Sequence, residues 1–188
     1  MKKEYKRLLF FGSARRHLDK DERRQFYLFL KEFNVQAVIT GGGSGSMDDA
    51  NIIANANDVL SLGVTTYKLR HSEGSNNHMT EFKTVEPTMF DRKKSYFQKV
   101  NVVYVGKGGI GTLDELFETL TLIQIEDIHP IPDIILTDIE FHKSLLQVVF
   151  KELEKQGTIS SEEIDRLKSH IFLLNVNSKG KLCLTNMK

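Results

Sequence analysis

Short apolar runs alternate along this chain with longer stretches in which apolar residues recur every three or four positions. The runs at 8–11, 37–39, 64–69, 102–105 and 133–136 are brief and rich in β-branched or aromatic residues, the signature of buried strands. Between them the period changes. Phe26, Phe29, Leu30 and Phe33 share one face of a helix that Asp19 or Asp21 can cap, and residues 47–62 predict a second helix closed by Gly63. Residues 89–97 have helical spacing, with Phe90 and Phe97 set apart from the basic triplet 92–94. Leu113, Leu116, Phe117, Leu120 and Ile123 line another helix, and residues 140–154 predict one with Phe141, Leu145, Val148 and Val149 inward. Ser160 and Glu163 have the spacing to cap a last short helix, residues 171–174 read as a final strand or docking segment, and 175–188 reads as a loose polar tail. The polar stretch 70–80 reads as a surface loop.

Five β-rich runs alternating with helices predict a doubly wound parallel sheet covered on both faces, an α/β fold. With 188 residues, no internal repeat and no linker, the expectation is one three-layer domain over 1–188.

Bulk properties narrow the partners. A formal charge of +1 gives no electrostatic reason to expect nucleic acid or an anionic membrane, so any anion site must be local. The basic stretch 1–7 precedes an apolar run of only 8–11, too short for a signal peptide or membrane span, so a cytoplasmic setting is expected. Cys183 cannot form an internal disulfide and reads as a bystander. His71 and His78 read as solvated loop residues, since no second pair of His, Cys or carboxylate has metal spacing. Neither a metal nor a cofactor is called for.

The candidate chemistry lies in glycine turns between strands and helices. Residues 105–115 run Val-Gly-Lys-Gly-Gly-Ile-Gly-Thr-Leu-Asp-Glu, placing a glycine turn between a strand and a helix start. Glycine lets a ligand approach the backbone, and the free N–H groups of a helix start favour an anion, so the turn reads as a phosphate cradle. A plain alternative is a capping box formed by Thr112 and Glu115. An ATPase loop is rejected, because a Lys-Ser/Thr pair would have to follow the last glycine and Thr112-Leu113 stands there. A second glycine turn, residues 40–46, follows the second strand, and Gly12-Ser13 follows the first. All three fall at carboxyl ends of predicted strands, where such sheets bind ligands. Taken alone, Arg92 to Lys94 reads as a solvated helix face.

Three motifs in this order resemble the "Lonely guy" family of Rossmann-like nucleotide phosphoribohydrolases, often mislabelled as lysine decarboxylases. They are the turn Gly41-Gly42-Gly43 with Met47 after it, the Arg92-Lys93 pair on a helix starting near Met89, and Gly108-Gly109-Ile110-Gly111-Thr112-Leu113-Asp114-Glu115. Gly12-Ser13 fits the family's first loop, and the likeness spans roughly residues 8–174. One departure stands out: Gly106-Lys107 replaces an apolar residue and a proline of the family motif.

The resemblance implies hydrolysis of the N-glycosidic bond of a nucleoside 5′-monophosphate, of AMP or cytokinin riboside type, without cofactor or metal. It assigns catalysis to Arg92 and Glu115. It assigns nucleotide and phosphate binding to Gly12, Ser13, Gly42, Gly43, Met89, Lys93, Gly108, Gly109, Ile110, Gly111 and Thr112. It also implies a homodimer, for which the apolar residues of 89–97 and 116–125 are candidate contacts. The competing reading on the same fold is a non-catalytic carrier of a nucleotide or of a molybdenum-cofactor-type ligand.

Overall fold

The computed structural model describes residues 4–72 and 82–188; His78 and most of the predicted 70–80 loop lie outside them. In chain order the elements are β1 (Arg7–Phe11), α1 (Lys20–Glu32), β2 (Ala37–Thr40), α2 (Ser46–Asn55), β3 (Leu60–Thr66), α3 (Tyr67–Ser72), β4 (Phe82–Glu86), α4 (Met89–Tyr96), β5 (Val102–Val105), α5 (Ile110–Gln124), β6 (Asp133–Leu136), α6 (Ile139–Lys155), α7 (Ser161–Ser169), β7 (Ile171–Val176) and β8 (Leu182–Asn186). They build one eight-stranded sheet in the order β4-β3-β2-β1-β5-β6-β7-β8. Every neighbouring pair is parallel except β7 with β8.

That order explains why the central strands are apolar on both faces. Leu9, Phe11, Ile39, Val103, Val105, Ile134 and Leu136 pack under α5, α6 and α7, while Leu8, Phe10, Val38, Val102, Tyr104 and Ile135 pack under α1 and α2. The chain is a Rossmann-like doubly wound sheet between two helical layers. It runs outward from β1 to β4, then returns to lay β5 on the other side of β1. Connections therefore diverge between β1 and β5, and a crevice opens beyond the carboxyl ends of those two strands.

Several local expectations change. The second helix stops at Asn55, because the chain turns through Asp58 in the left-handed region (φ 56°) and Val59 N–H closes on Ala54 O at 3.0 Å. Strand β3 thus begins at Leu60 and carries Gly63 inside it, and residues 67–69, read as strand, open α3 instead. His71 lies on α3 and is exposed. Strand β4 was not anticipated: it is an edge strand without a continuous apolar run. The tail is not loose along its length, because Asn177 organises a turn through Gly180 (φ 72°) and folds β8 back onto β7, burying Leu182 and Met187.

The inward face of α6 is also rotated from the predicted one. His142, Leu146 and Phe150 are buried, whereas Phe141 and Val148 are 47% and 61% exposed. The helix carries two apolar stripes, and the one that packs includes a histidine, which a polar/apolar pattern counts on the wrong side. His142 is 1% exposed, its Nδ1 has no partner among the described residues, and burial holds its pKa below the ordinary 6.5 despite Asp138 nearby. The unfolded chain therefore takes up this proton first, so stability falls as pH drops through and below about 6.5. A His142→Leu variant is expected to lose less melting temperature between pH 7 and pH 5 than the parent, as read by thermal melts; equal losses would contradict a neutral buried imidazole.

Candidate active site

A cleft of about 440 Å³ lies at the crevice between β1 and β5. One end of it is the start of α5. Gly109 is the N-cap residue and offers no side-chain cap, so the first amides of the helix, at Ile110, Gly111 and Thr112, lack protein acceptors of that kind. The capping-box alternative fails because the Thr112 hydroxyl turns to the next loop and donates to Gly12 O at 3.1 Å. The glycines of the turn divide into two kinds. A Cβ on Gly108 would lie 1.9 Å from Thr112 Oγ1, so this glycine makes room for the Thr112 link. A Cβ on Gly109 or Gly111 would meet nothing within 4 Å, so those backbones face open cleft.

The loop after β1 forms a second wall and is tightly pinned. Ser13 N–H donates to Ser46 Oγ (2.7 Å), Ser46 N–H returns to Ser13 O (2.9 Å), and Ser44 Oγ donates to Ala14 O (2.8 Å). Further along the loop, buried Asp49 of α2 accepts from Leu18 N–H at 2.6 Å, from His17 Nδ1 and from Arg23. Gly45 (φ 67°) allows this contact, since a Cβ there would lie 2.4 Å from Ser13 O.

Arg92 projects from α4 into the crevice and is only 5% exposed. Thr88 caps this helix at Asp91 N–H, which fixes its first turn. The guanidinium is held on three sides: Nε donates to Val64 O (3.0 Å), Nη2 to Gly41 O (3.4 Å), and the group stacks 4.7 Å over the Tyr96 ring. Nη1 faces α5, 3.9 Å from Glu115 Oε1, and lies 4.0 Å from Met89 Sδ. Leu113 and Glu115 follow the amide turn directly, so the carboxylate stands one helical turn from the uncapped N–H groups.

Of the residues singled out from sequence, Gly12, Ser13, Met89, Arg92, Glu115 and residues 109–112 line the cleft. Gly42, Gly43, Lys93 and Gly108 do not. Gly42 sits in a left-handed turn (φ 67°), its N–H on Thr40 Oγ1, and shapes the second loop from behind. Lys93 bridges α4 to α5 through Asp114 (2.9 Å) and Glu118 (2.7 Å). Burial alone would lower its pKa, but the two carboxylates outweigh this and hold the ammonium above the ordinary lysine range. The divergent Lys107 is drawn away from the cleft to Glu22 of α1 at 3.4 Å.

Sequence reading assigned no individual role to Gly41, Met47, Leu69, Ala14, Arg15 or Asp114. Gly41, Met47 and Asp114 lie inside the quoted motifs and Ala14 and Arg15 in the loop after the first strand, whereas nothing in the local pattern marks Leu69. Among the described residues no group of His, Cys, Asp or Glu has the arrangement of a metal site, and no helix is long and apolar enough to cross a membrane.

Comparison with known proteins gives the family and the fold. The chain is 29% identical over 129 residues to a cytokinin riboside 5′-monophosphate phosphoribohydrolase of Mycobacterium marinum, a match over 68% of this chain that spans 66% of the relative's length. Two solved structures share the fold, each with a TM-score of 0.52. A structural-genomics target is 16% identical, with 69% of this chain and 72% of that one covered. A molybdenum cofactor binding protein from Rippkaea orientalis is 20% identical, with coverage of 82% and 86%. Residues 47–171, which begin directly after the second glycine turn and include Arg92 and the amide turn with Glu115, match the family described as "Possible lysine decarboxylase". The chain belongs to that family, the one its motifs resemble under the name Lonely guy.

Proposed function

We propose that this protein is a nucleoside 5′-monophosphate phosphoribohydrolase, releasing free base and ribose 5-phosphate. The observation that carries the reading is the convergence in one cleft of the uncapped α5 amides and the Arg92–Glu115 pair at 3.9 Å. A phosphate on the amides of Ile110, Gly111 and Thr112 needs no metal, since oriented N–H groups and the helix dipole meet its charge.

In the reaction the C1′–N bond breaks with its electron pair going to the base nitrogen, which takes up a proton. Water adds to C1′ and gives up a proton, so one water is consumed per bond cleaved. Positive charge builds on the ribose ring as the bond stretches, and the Glu115 carboxylate beside it lowers that barrier and orients the water. Arg92 has two of its N–H directions spent on Val64 and Gly41 and only a weak Nη1 contact to Met89 Sδ, so that edge serves chiefly to align Glu115 and to donate toward the departing base. Met47, Leu69 and Met89 give the cleft an apolar side suited to a planar base. AMP and N6-modified adenine nucleotides are the first substrates to try. The protein is expected to act as a homodimer, and the exposed Met89, Phe90 and Ile125 offer apolar contact area for it.

Incubation with a panel of nucleoside 5′-monophosphates, followed by chromatography for free base and assay of ribose 5-phosphate, tests the reading. Equimolar release of both products is expected. Tight retention of a nucleotide with no base released would defeat the hydrolase assignment in favour of a carrier.

A further inference from the structure

Two cations line the cleft, Arg15 and Arg92, and their surroundings differ. Arg92 is buried, and the Glu115 carboxylate 3.9 Å away offsets its charge. Several cations around the cleft are also paired: Lys93 with Asp114 and Glu118, Arg16 and Lys107 with Glu22, Arg23 with Asp49. Arg15 is exposed, and its guanidinium meets no carboxylate and no other acceptor among the described residues. Its backbone, in contrast, is fixed: Arg15 N–H donates to Ser13 Oγ at 3.1 Å, on the loop that Ser44 and Ser46 pin from the other side.

A fixed loop thus presents one uncompensated positive charge to a cleft whose lining acids are Asp114 and Glu115. Asp114 is paired with Lys93 and Glu115 faces Arg92, so neither pair offers net positive charge to an incoming dianion. The helix-start amides supply only partial positive charge, about half an elementary unit. From this charge balance, and resting on the reading of the cleft as a nucleotide site, we infer that Arg15 is the residue that makes the cleft select a phosphorylated ligand. Its guanidinium closes on the phosphate seated at Ile110, Gly111 and Thr112 by a charge-assisted contact, and it discriminates a nucleoside 5′-monophosphate from the nucleoside.

Calorimetric titration with ribose 5-phosphate, and with ribose as the uncharged control, separates this role from general packing. Arg15→Ala is expected to weaken ribose 5-phosphate binding about tenfold at low ionic strength, with Arg15→Lys recovering part of it. The gap should narrow in molar salt, because the contact is solvent-exposed and screened. KM for a nucleoside monophosphate should rise by a similar factor. Since the side chain has no partner among the described residues, melting temperature should not move. Ribose 5-phosphate binding unchanged by Arg15→Ala, absent from the parent protein, or weakened no more than ribose binding would overturn the inference. A parent protein that binds ribose 5-phosphate through Arg15 but releases no base from any nucleotide would remove the hydrolase reading and leave the anchor standing.

Discussion

Glu115→Gln should lower base release from AMP by on the order of a hundredfold or more while leaving the fold intact. The substitution keeps the size and hydrogen-bonding reach of the side chain and removes the charge. Glu115 is on the second turn of α5, beyond the amide turn, so its loss does not disturb the proposed phosphate seat. The effect should therefore fall on kcat, with ribose 5-phosphate binding retained. Arg92→Ala should lose a comparable factor but also melt earlier, since it strips a donor from the carbonyl of Gly41 and empties a buried space over Tyr96. Leaving that carbonyl without a partner costs about 1–3 kcal/mol. Unchanged turnover in both variants would end the assignment of these two residues.

Gly41→Ala is the second large effect expected, and it acts without touching either charged group. A Cβ at this position would lie 2.4 Å from Arg92 Nη2, 2.8 Å from Met47 Sδ and 3.1 Å from Tyr96 Oη. Arg92 has little room to retreat, because it is buried, stacked on Tyr96 and bonded to Val64 O. The methyl group must push the guanidinium off Gly41 and out of line with Glu115, and a displacement of about an ångström at such a group costs around a hundredfold in rate. Gly109→Ala is the matching control, since its Cβ meets no protein atom within 4 Å; it should fold normally and obstruct only the ligand. Full activity in Gly41→Ala would show that the seat of Arg92 is not what sets the rate.

How far the sequence reaches depends on how local each signal is. Strands β1, β5 and β6 were legible because a strand buried on both faces has to be continuously apolar. Edge strand β4 had no such constraint. The face of α6 was misread because its buried stripe runs through His142, whose neutral imidazole packs as an apolar ring. Around the cleft, glycines and the helix start advertise themselves by residue type, so the turns at 12–15, 40–46 and 106–112 could be marked in advance. That Lys93 stands outside the cleft while Arg92 lines it was not legible, since adjacent residues on a helix point about 100° apart and only the position of α5 decides what each meets. Gly41 and Arg15 matter through segments about 50 and 100 residues away in the chain, and no local pattern carries that information.

The walls of the cleft are tied to one another in a closed circuit. Thr112 joins α5 to Gly12, Ser13 joins that loop to Ser46, Gly41 joins the second loop to Arg92, and Lys93 returns from α4 to α5. The unliganded molecule has already met the entropy cost of ordering these segments, so a ligand arriving there should organise little. Amide hydrogens around the rim would then exchange almost as slowly in the empty protein as in the occupied one, and affinity would be governed by what the ligand itself gives up.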